Sequence, residues 1–182
     1  MELIKVKNED IKDLAKLTDE IWHEYWPCIL SAEQIDYMVE KFQSENAIFN
    51  QIKNIEKQIN YMVEKFQSEN AIINQMKNEN YKYYFINYEN KNVGYIGVSP
   101  HSDYLFLSKL YIKKDFRHKG IGKVVFEKIK DFGFDKIQLT VNKYNKNTID
   151  AYLKYGFKII DSIVSDIGNG FVMDDYIMEY CK

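Results

Sequence analysis

From Ser31 to about Asn80 the chain has neither glycine nor proline. Apolar residues recur there at steps of three and four, at Ile35, Met38 and Phe42, then Phe49, Ile52, Ile55, Ile59, Met62, Phe66, Ile73 and Met76. That spacing predicts helix throughout. Ahead of it, LIKV reads as a short strand and IKDLAKLTDEIWHEYW as an amphipathic helix stopped near Pro27, with Ser31 placed to cap the next helix. After Asn80 the period changes. YKYYFINY, NVGYIGVS and YLFLSKLYI are rich in aromatic and branched residues, which predicts a meander of three strands. There follow a helix from about Gly120 to Phe132, a strand KIQLTV, a helix from about Lys146 to Tyr155, and strands around FKIIDSIV and FVMDDYIMEY. This order predicts one α/β (α+β) domain over 1–182, built around a central mixed sheet.

The helical region contains a tandem duplication. YMVEKFQSENAI occurs at Tyr37 to Ile48 and again at Tyr61 to Ile72, a constant offset of 24 that makes 34–57 and 58–80 two copies of one unit. A solenoid needs at least three units, so this is a doubled element within a domain. Two arrangements are open. Ser44 and Ser68 could cap second helices of a hairpin, or the segment could fuse into one helix of about 45 residues, on the order of 68 Å long, whose apolar stripe needs a partner chain. Glu45 and Glu69 fall in that stripe and weigh against the long helix. Either arrangement leads to an expected homodimer, with helices from 31–80 exchanged between chains.

With a formal charge of −2 over 182 residues, nothing global draws the protein to nucleic acid or to an anionic membrane. Cys28 and Cys181 lie near opposite ends without metal-ligand spacing, which fits two reduced thiols and no metal site. MELIKVKNED lacks an apolar leader core, and no apolar run is long enough to span a bilayer. A cytoplasmic protein with neither nucleic-acid nor membrane partners is expected.

The candidate chemistry begins in LYIKKDFRHKGIGKVVFEKIKDF, where a strand, a short basic loop and a helix stand in direct succession. Arg117, His118, Lys119, Gly120, Ile121 and Gly122 place backbone N–H groups at a helix start, where unpaired donors and the positive end of the helix dipole favour an anion. Lys113, Lys114 and Lys123 add positive charge suited to several phosphates. GxxxxGK[ST] is absent, and a dinucleotide GxGxxG needs glycine where Val125 stands, so neither of those phosphate sites is present.

RHKGIG resembles the Q/R-x-x-G-x-G/A pyrophosphate loop of the GNAT superfamily of acyl-CoA-dependent N-acetyltransferases, and LSKLYI resembles that family's fourth strand. NKNTIDAYLKYGF is similar to the N-x-x-A-x-x-x-Y-x-x-x-G-F helix that comes after the family's fifth strand. With one copy of the duplication set aside, the resemblance covers nearly the whole chain. It implies a mostly antiparallel twisted sheet flanked by helices, with acetyl-CoA wedged between splayed fourth and fifth strands. Its pantetheine would pair with backbone near Leu110, Tyr111 and Ile112, and the loop from Arg117 to Lys123 would hold its pyrophosphate. Asn145 falls on the cofactor-contacting asparagine. Tyr152 falls on the tyrosine that protonates the leaving thiolate. A tyrosine of pKa near 10 giving its proton to a thiolate near 8.5 works uphill by roughly 2 kcal/mol, within reach of a positioned acid.

The base that takes the amine's proton stays open. Several family members carry a glutamate on the fourth strand, where this chain has Ser108 and Lys109. Other candidates are His23 and Glu24 in IWHEYW, and Asp174 and Asp175 in the last strand, any of which could also hold a cationic acceptor. Both ends of the chain are similar to a bacterial GNAT subgroup that includes PaiA-type spermine/spermidine acetyltransferases. This resemblance implies a small cationic amine such as a polyamine as acceptor, recognised by ion pairing and cation–π contact. The alternatives are a CoA-binding module without turnover that acts in assembly, and transfer to a protein or peptide amine.

Overall fold

The aromatic-rich middle of the chain folds as the expected meander. In the computed structural model, which describes residues 1–17, 20–21, 57–168 and 171–182, β2 (Lys82–Tyr88), β3 (Lys91–Pro100) and β4 (Leu105–Ile112) pair antiparallel in sequence order. Glu89 and Asn90 join β2 to β3 with φ of 50° and 60°. Two successive positive φ values are what a two-residue primed turn needs to follow the twist of its strands. β1 (Glu2–Lys5) adds to the outer edge of β2. Beyond β4 the chain crosses through α4 (Ile121–Lys130) to a parallel neighbour, β5 (Lys136–Asn142). α5 (Lys146–Lys154) then leads into a hairpin of β6 (Lys158–Gly168) and β7 (Phe171–Cys181), in which β7 inserts beside β5. The sheet order is β1-β2-β3-β4-β5-β7-β6, antiparallel except at β4 and β5.

Period-two alternation sends successive side chains to opposite faces. Ile86, Ile96, Leu139 and Val141 meet Val125, Phe126 and Ile149 of α4 and α5 in the larger core. On the other face Tyr83, Phe85 and Tyr95 pack against Leu14 of α1 (11–17), Ile21 and Ile72. Among the described residues no helix is long and apolar enough to cross a membrane.

The second copy of the duplication lies on that other face. It forms α2 (57–67) and α3 (Glu69–Asn78), separated at Ser68, whose hydroxyl accepts from the Ala71 N–H at 3.2 Å. An unbroken helix through 76 is therefore not formed. Tyr95 donates to Oε1 of Gln67 at 3.2 Å, Tyr83 donates to Oε1 of Gln75, and Tyr61 donates to the Ile167 carbonyl at 2.9 Å. These bonds tie the second copy to the sheet. The first copy, with Ser31, Ser44, Cys28, His23 and Glu24, lies outside the described residues.

Candidate active site

The sheet opens at its one parallel pair. β4 and β5 are in register only at Leu105 with Ile137 and Phe106 with Gln138, after which they separate. A bulge starts the separation. Gly97 opposes Lys109 while Val98 opposes Leu107, so Ser108 is an extra residue that bends β4 away from its neighbour. A cavity of about 590 Å³ fills the gap, within the range of small-molecule sites. Ser108, Leu110, Tyr111 and Ile112 line it from β4, and Thr140, Val141 and Asn142 from β5. Beyond Phe106 the β5 side of β4 has no ladder partner, which leaves an open strand edge along the cavity.

The basic loop closes one end. Arg117 Nε–H donates to the Ile112 carbonyl at 2.8 Å and holds the loop against its strand. His118 and Gly120 take φ of 60° and 75°, and a Cβ on Gly120 would meet nothing within 4 Å. Glycine there serves the left-handed backbone rather than the space. The first intrahelical bond of α4 runs from Val124 N–H to Gly120 O at 3.2 Å, so the N–H groups of Ile121, Gly122 and Lys123 have no acceptor within the helix. Arg117, His118, Gly120, Ile121 and Gly122 all line the cavity. Lys119 and Lys123 do not. They are exposed, the Lys119 ammonium lying 5.1 Å from the Phe116 ring centroid, and Lys113 is paired with Glu20 at 2.6 Å.

α5 supplies the opposite wall. Asn145 caps it, its side-chain oxygen accepting from the Thr148 N–H at 3.4 Å, so this residue has a structural task as well as a place in the cavity. Gly156 ends the helix region at φ 94°, a conformation that turns the chain so that Phe157 meets Tyr152 edge-on at 5.2 Å. Tyr152 is thereby buried with one side to the core and the other to the cavity. Sequence reasoning missed Tyr155, which also lines the cavity; its hydroxyl is 3.5 Å from where a Cβ on Gly122 would sit. The signal was available, since three residues from Tyr152 is the same helix face. Thr140 and Asn142 were likewise legible as positions that alternate with the core residues Leu139 and Val141.

The structure separates residues that the sequence left equivalent. Ser108 lines the cavity, its hydroxyl accepting from Tyr81 at 3.3 Å. Lys109 turns to the other face, 6% exposed, with its ammonium 4.8 Å and 5.4 Å from the Tyr81 and Tyr83 ring centroids and 3.5 Å from Gln75 Oε1. Burial pushes its pKa down to about 8 against the opposing pull of Glu79. On β7, Asp174 pairs with Lys143 at 2.5 Å, while Asp175 lines the cavity, 7% exposed, with Oδ1 lacking a hydrogen-bond partner. Burial first, then repulsion from Asp174, raises the Asp175 carboxyl to about 6, with Lys143 opposing.

Residues 18–157 match the Acetyltransferase (GNAT) family. The chain belongs to the GNAT acetyltransferase family. A spermidine N(1)-acetyltransferase of Thermoplasma acidophilum is 25% identical over 178 residues, which cover 96% of each chain. The crystal structure of a PaiA N-acetyltransferase from the same organism, in complex with coenzyme A, aligns with a TM-score of 0.61 at 25% identity, covering 100% of this chain and 98% of that one. A GCN5-related N-acetyltransferase structure from Rhodopseudomonas palustris aligns at 0.67 with 13% identity, over 100% and 95% of the two chains, and shows the shared fold. This GNAT protein is an acetyl-CoA-dependent N-acetyltransferase that moves an acetyl group to an amine.

Proposed function

We propose that the acceptor is a primary amine on a small cationic molecule, with polyamines as the first class to try. The observation that carries this reading is that one cavity has in its wall both Ile121 and Gly122 of the α4 start, whose N–H groups have no acceptor within the helix, and the buried Asp175, whose Oδ1 has no hydrogen-bond partner. The first suits the pyrophosphate of acetyl-CoA. The second suits a cationic amine, with Tyr111 adding an aromatic surface. The relative named as a spermidine acetyltransferase supports the same class.

In this reading Leu110, Tyr111 and Ile112 offer backbone groups to the pantetheine along the open edge of β4. Arg117, His118, Gly120, Ile121 and Gly122 hold the pyrophosphate, Lys119 and Lys123 add charge from outside the wall, and Asn145 contacts the cofactor from the start of α5. An N–H near Ile112 stabilises the oxyanion as the amine attacks the thioester carbonyl, and Tyr152 protonates the departing sulfur. Asp175 favours the cationic acceptor, while Asp174 is engaged by Lys143 outside the cavity wall; His23 and Glu24 remain assigned to the acceptor side on sequence grounds alone. The second copy of the duplication takes the family's helical place, and the first is available to join two chains into a homodimer, with the enzyme acting in the cytoplasm.

Thiol release from acetyl-CoA is measured over a panel of polyamines, aminoglycosides, amino acids and peptides. Polyamines are expected to give the highest kcat/KM. A panel in which they are no better than the other amines refutes the reading.

A further inference from the structure

The geometry points to Asp175 as the general base that takes the proton from the acceptor's ammonium. The inference rests on the proposed amine-acetylating site and adds the group that reaction still lacks. An alkylamine of pKa near 10 is mostly protonated at neutral pH and cannot attack a carbonyl until a proton leaves it.

Among the described residues Asp175 is the one Asp or Glu in the cavity wall. The alternatives are occupied or turned away. Asp174 is held by Lys143, and Lys109 does not line the cavity, its ammonium being buried among Tyr81, Tyr83 and Gln75. An unpartnered buried carboxylate oxygen is costly, and a cavity that retains one has room for a proton donor to meet it.

Its placement also fits the direction of the chemistry. Asp175 is two residues from Met173 on β7 and so shares its face. Met173 packs with Tyr111 beside Ile59, Met62 and Ile167, the α2 side of the sheet. Tyr152 enters the cavity from the α5 side. Base and acid therefore approach from opposite sides, one toward the incoming nitrogen and the other toward the leaving sulfur. The burial that raises the Asp175 carboxyl leaves it ionised at neutral pH and brings its basicity closer to that of the amine.

In the transfer itself Asp175 takes one proton from the ammonium, the freed nitrogen lone pair forms a bond to the thioester carbon, and collapse of the oxyanion breaks the carbon–sulfur bond. The thiolate takes the Tyr152 proton, and the surplus proton on the new amide nitrogen restores Tyr152. The proton on Asp175 leaves to solvent. The products are an acetylated amine, CoA thiol and one released proton.

The test is Asp175→Asn, assayed by thiol release across pH with the preferred amine and, at pH 7 and above, with trifluoroethylamine, which is neutral there. The titratable and charged groups around Asp175 are Asp174 and Lys143 beside it and Tyr111, Arg117, His118, Tyr152 and Tyr155 in the cavity wall, so His118→Gln is run in parallel. The expected result is a loss in kcat of about 10²- to 10⁴-fold at neutral pH with acetyl-CoA binding retained. The activity rise centred near pH 6 should vanish in Asp175→Asn and persist in His118→Gln, and the loss should shrink at least tenfold with the neutral amine. Should Asp175→Asn fail to fold by circular dichroism, Asp175→Glu takes its place, with reduced kcat and a retained pH limb expected. A kcat within threefold of wild type, an unchanged pH limb, or a loss confined to KM overturns the assignment while leaving the transferase reading intact. A wild type that binds acetyl-CoA and acetylates no amine overturns both.

Discussion

Replacing Asp175 with asparagine should make the protein more stable while it loses activity. The side chain is 7% exposed, and its carboxyl is raised from the ordinary 3.8 to about 6, first by burial and then by Asp174. The folded protein therefore binds this proton more tightly than the unfolded chain does. The contribution of Asp175 to wild-type stability is fully present below pH about 4 and is lost as pH rises through about 6, where the folded-state carboxyl ionises. At roughly 1.4 kcal/mol per tenfold change in binding, the span from 3.8 to about 6 corresponds to about 3 kcal/mol of destabilisation at neutral pH. Water entering the cavity screens part of this, and the asparagine amide brings unsatisfied donors of its own, so a net gain of about 1–2 kcal/mol is expected at pH 7. In a chain of this size that is a rise in Tm of about 2–8 °C. Urea unfolding of wild type and variant at pH 4 and pH 7 measures it. The gain should be present at pH 7 and nearly gone at pH 4. A variant less stable than wild type at pH 7, or a difference independent of pH, would show that the carboxylate is not held ionised against its surroundings.

Lys109→Met should also stabilise. A buried ammonium whose pKa falls from 10.5 to about 8 weakens the fold below pH 8, and wild type regains that stability as pH climbs toward 10.5. Allowing for cation–π contacts with Tyr81 and Tyr83, a gain of about 1–3 kcal/mol at pH 7 that disappears near pH 10.5 is expected by urea unfolding. Tyr152→Phe keeps the ring against Phe157 and removes only the hydroxyl; kcat should fall about 10²- to 10³-fold with acetyl-CoA affinity within threefold by calorimetry, and an unchanged kcat would remove Tyr152 as the acid. Ser68→Ala deletes the cap of α3 and should cost about 1 kcal/mol in urea. Deleting 34–57 leaves the copy that packs on the sheet, so the variant should fold and turn over while light scattering shows a monomer in place of a dimer. A wild type already monomeric refutes the assembly reading.

Much of this protein was determined by patterns that act over a few residues. Alternation in YKYYFINY and NVGYIGVS fixes which side chains share a face, because the pleat has a period of two. The loop RHKGIG and the spacing from Tyr152 to Gly156 and Phe157 were legible for the same reason: a left-handed glycine and a helix start are local geometry, and both stand where the motifs put them. Tertiary structure decided what local pattern leaves degenerate. Asp174 and Asp175 are neighbours of the same chemistry, and only the insertion of β7 beside β5 pairs one with Lys143 and turns the other into the cavity. The face that Lys109 takes is likewise set by the extra residue Ser108, which shifts the alternation after Leu107, a feature of strand pairing that no single strand encodes. The duplication is the plainest case. Gln43 and Gln51 in the first copy match Gln67 and Gln75 in the second, so neither copy could be preferred from its own residues. The second copy leads directly into β2, and that short connection brings Gln67 to Tyr95 and Gln75 to Tyr83. That the second copy packs there follows from where it is tethered, and that is a property of the assembled sheet.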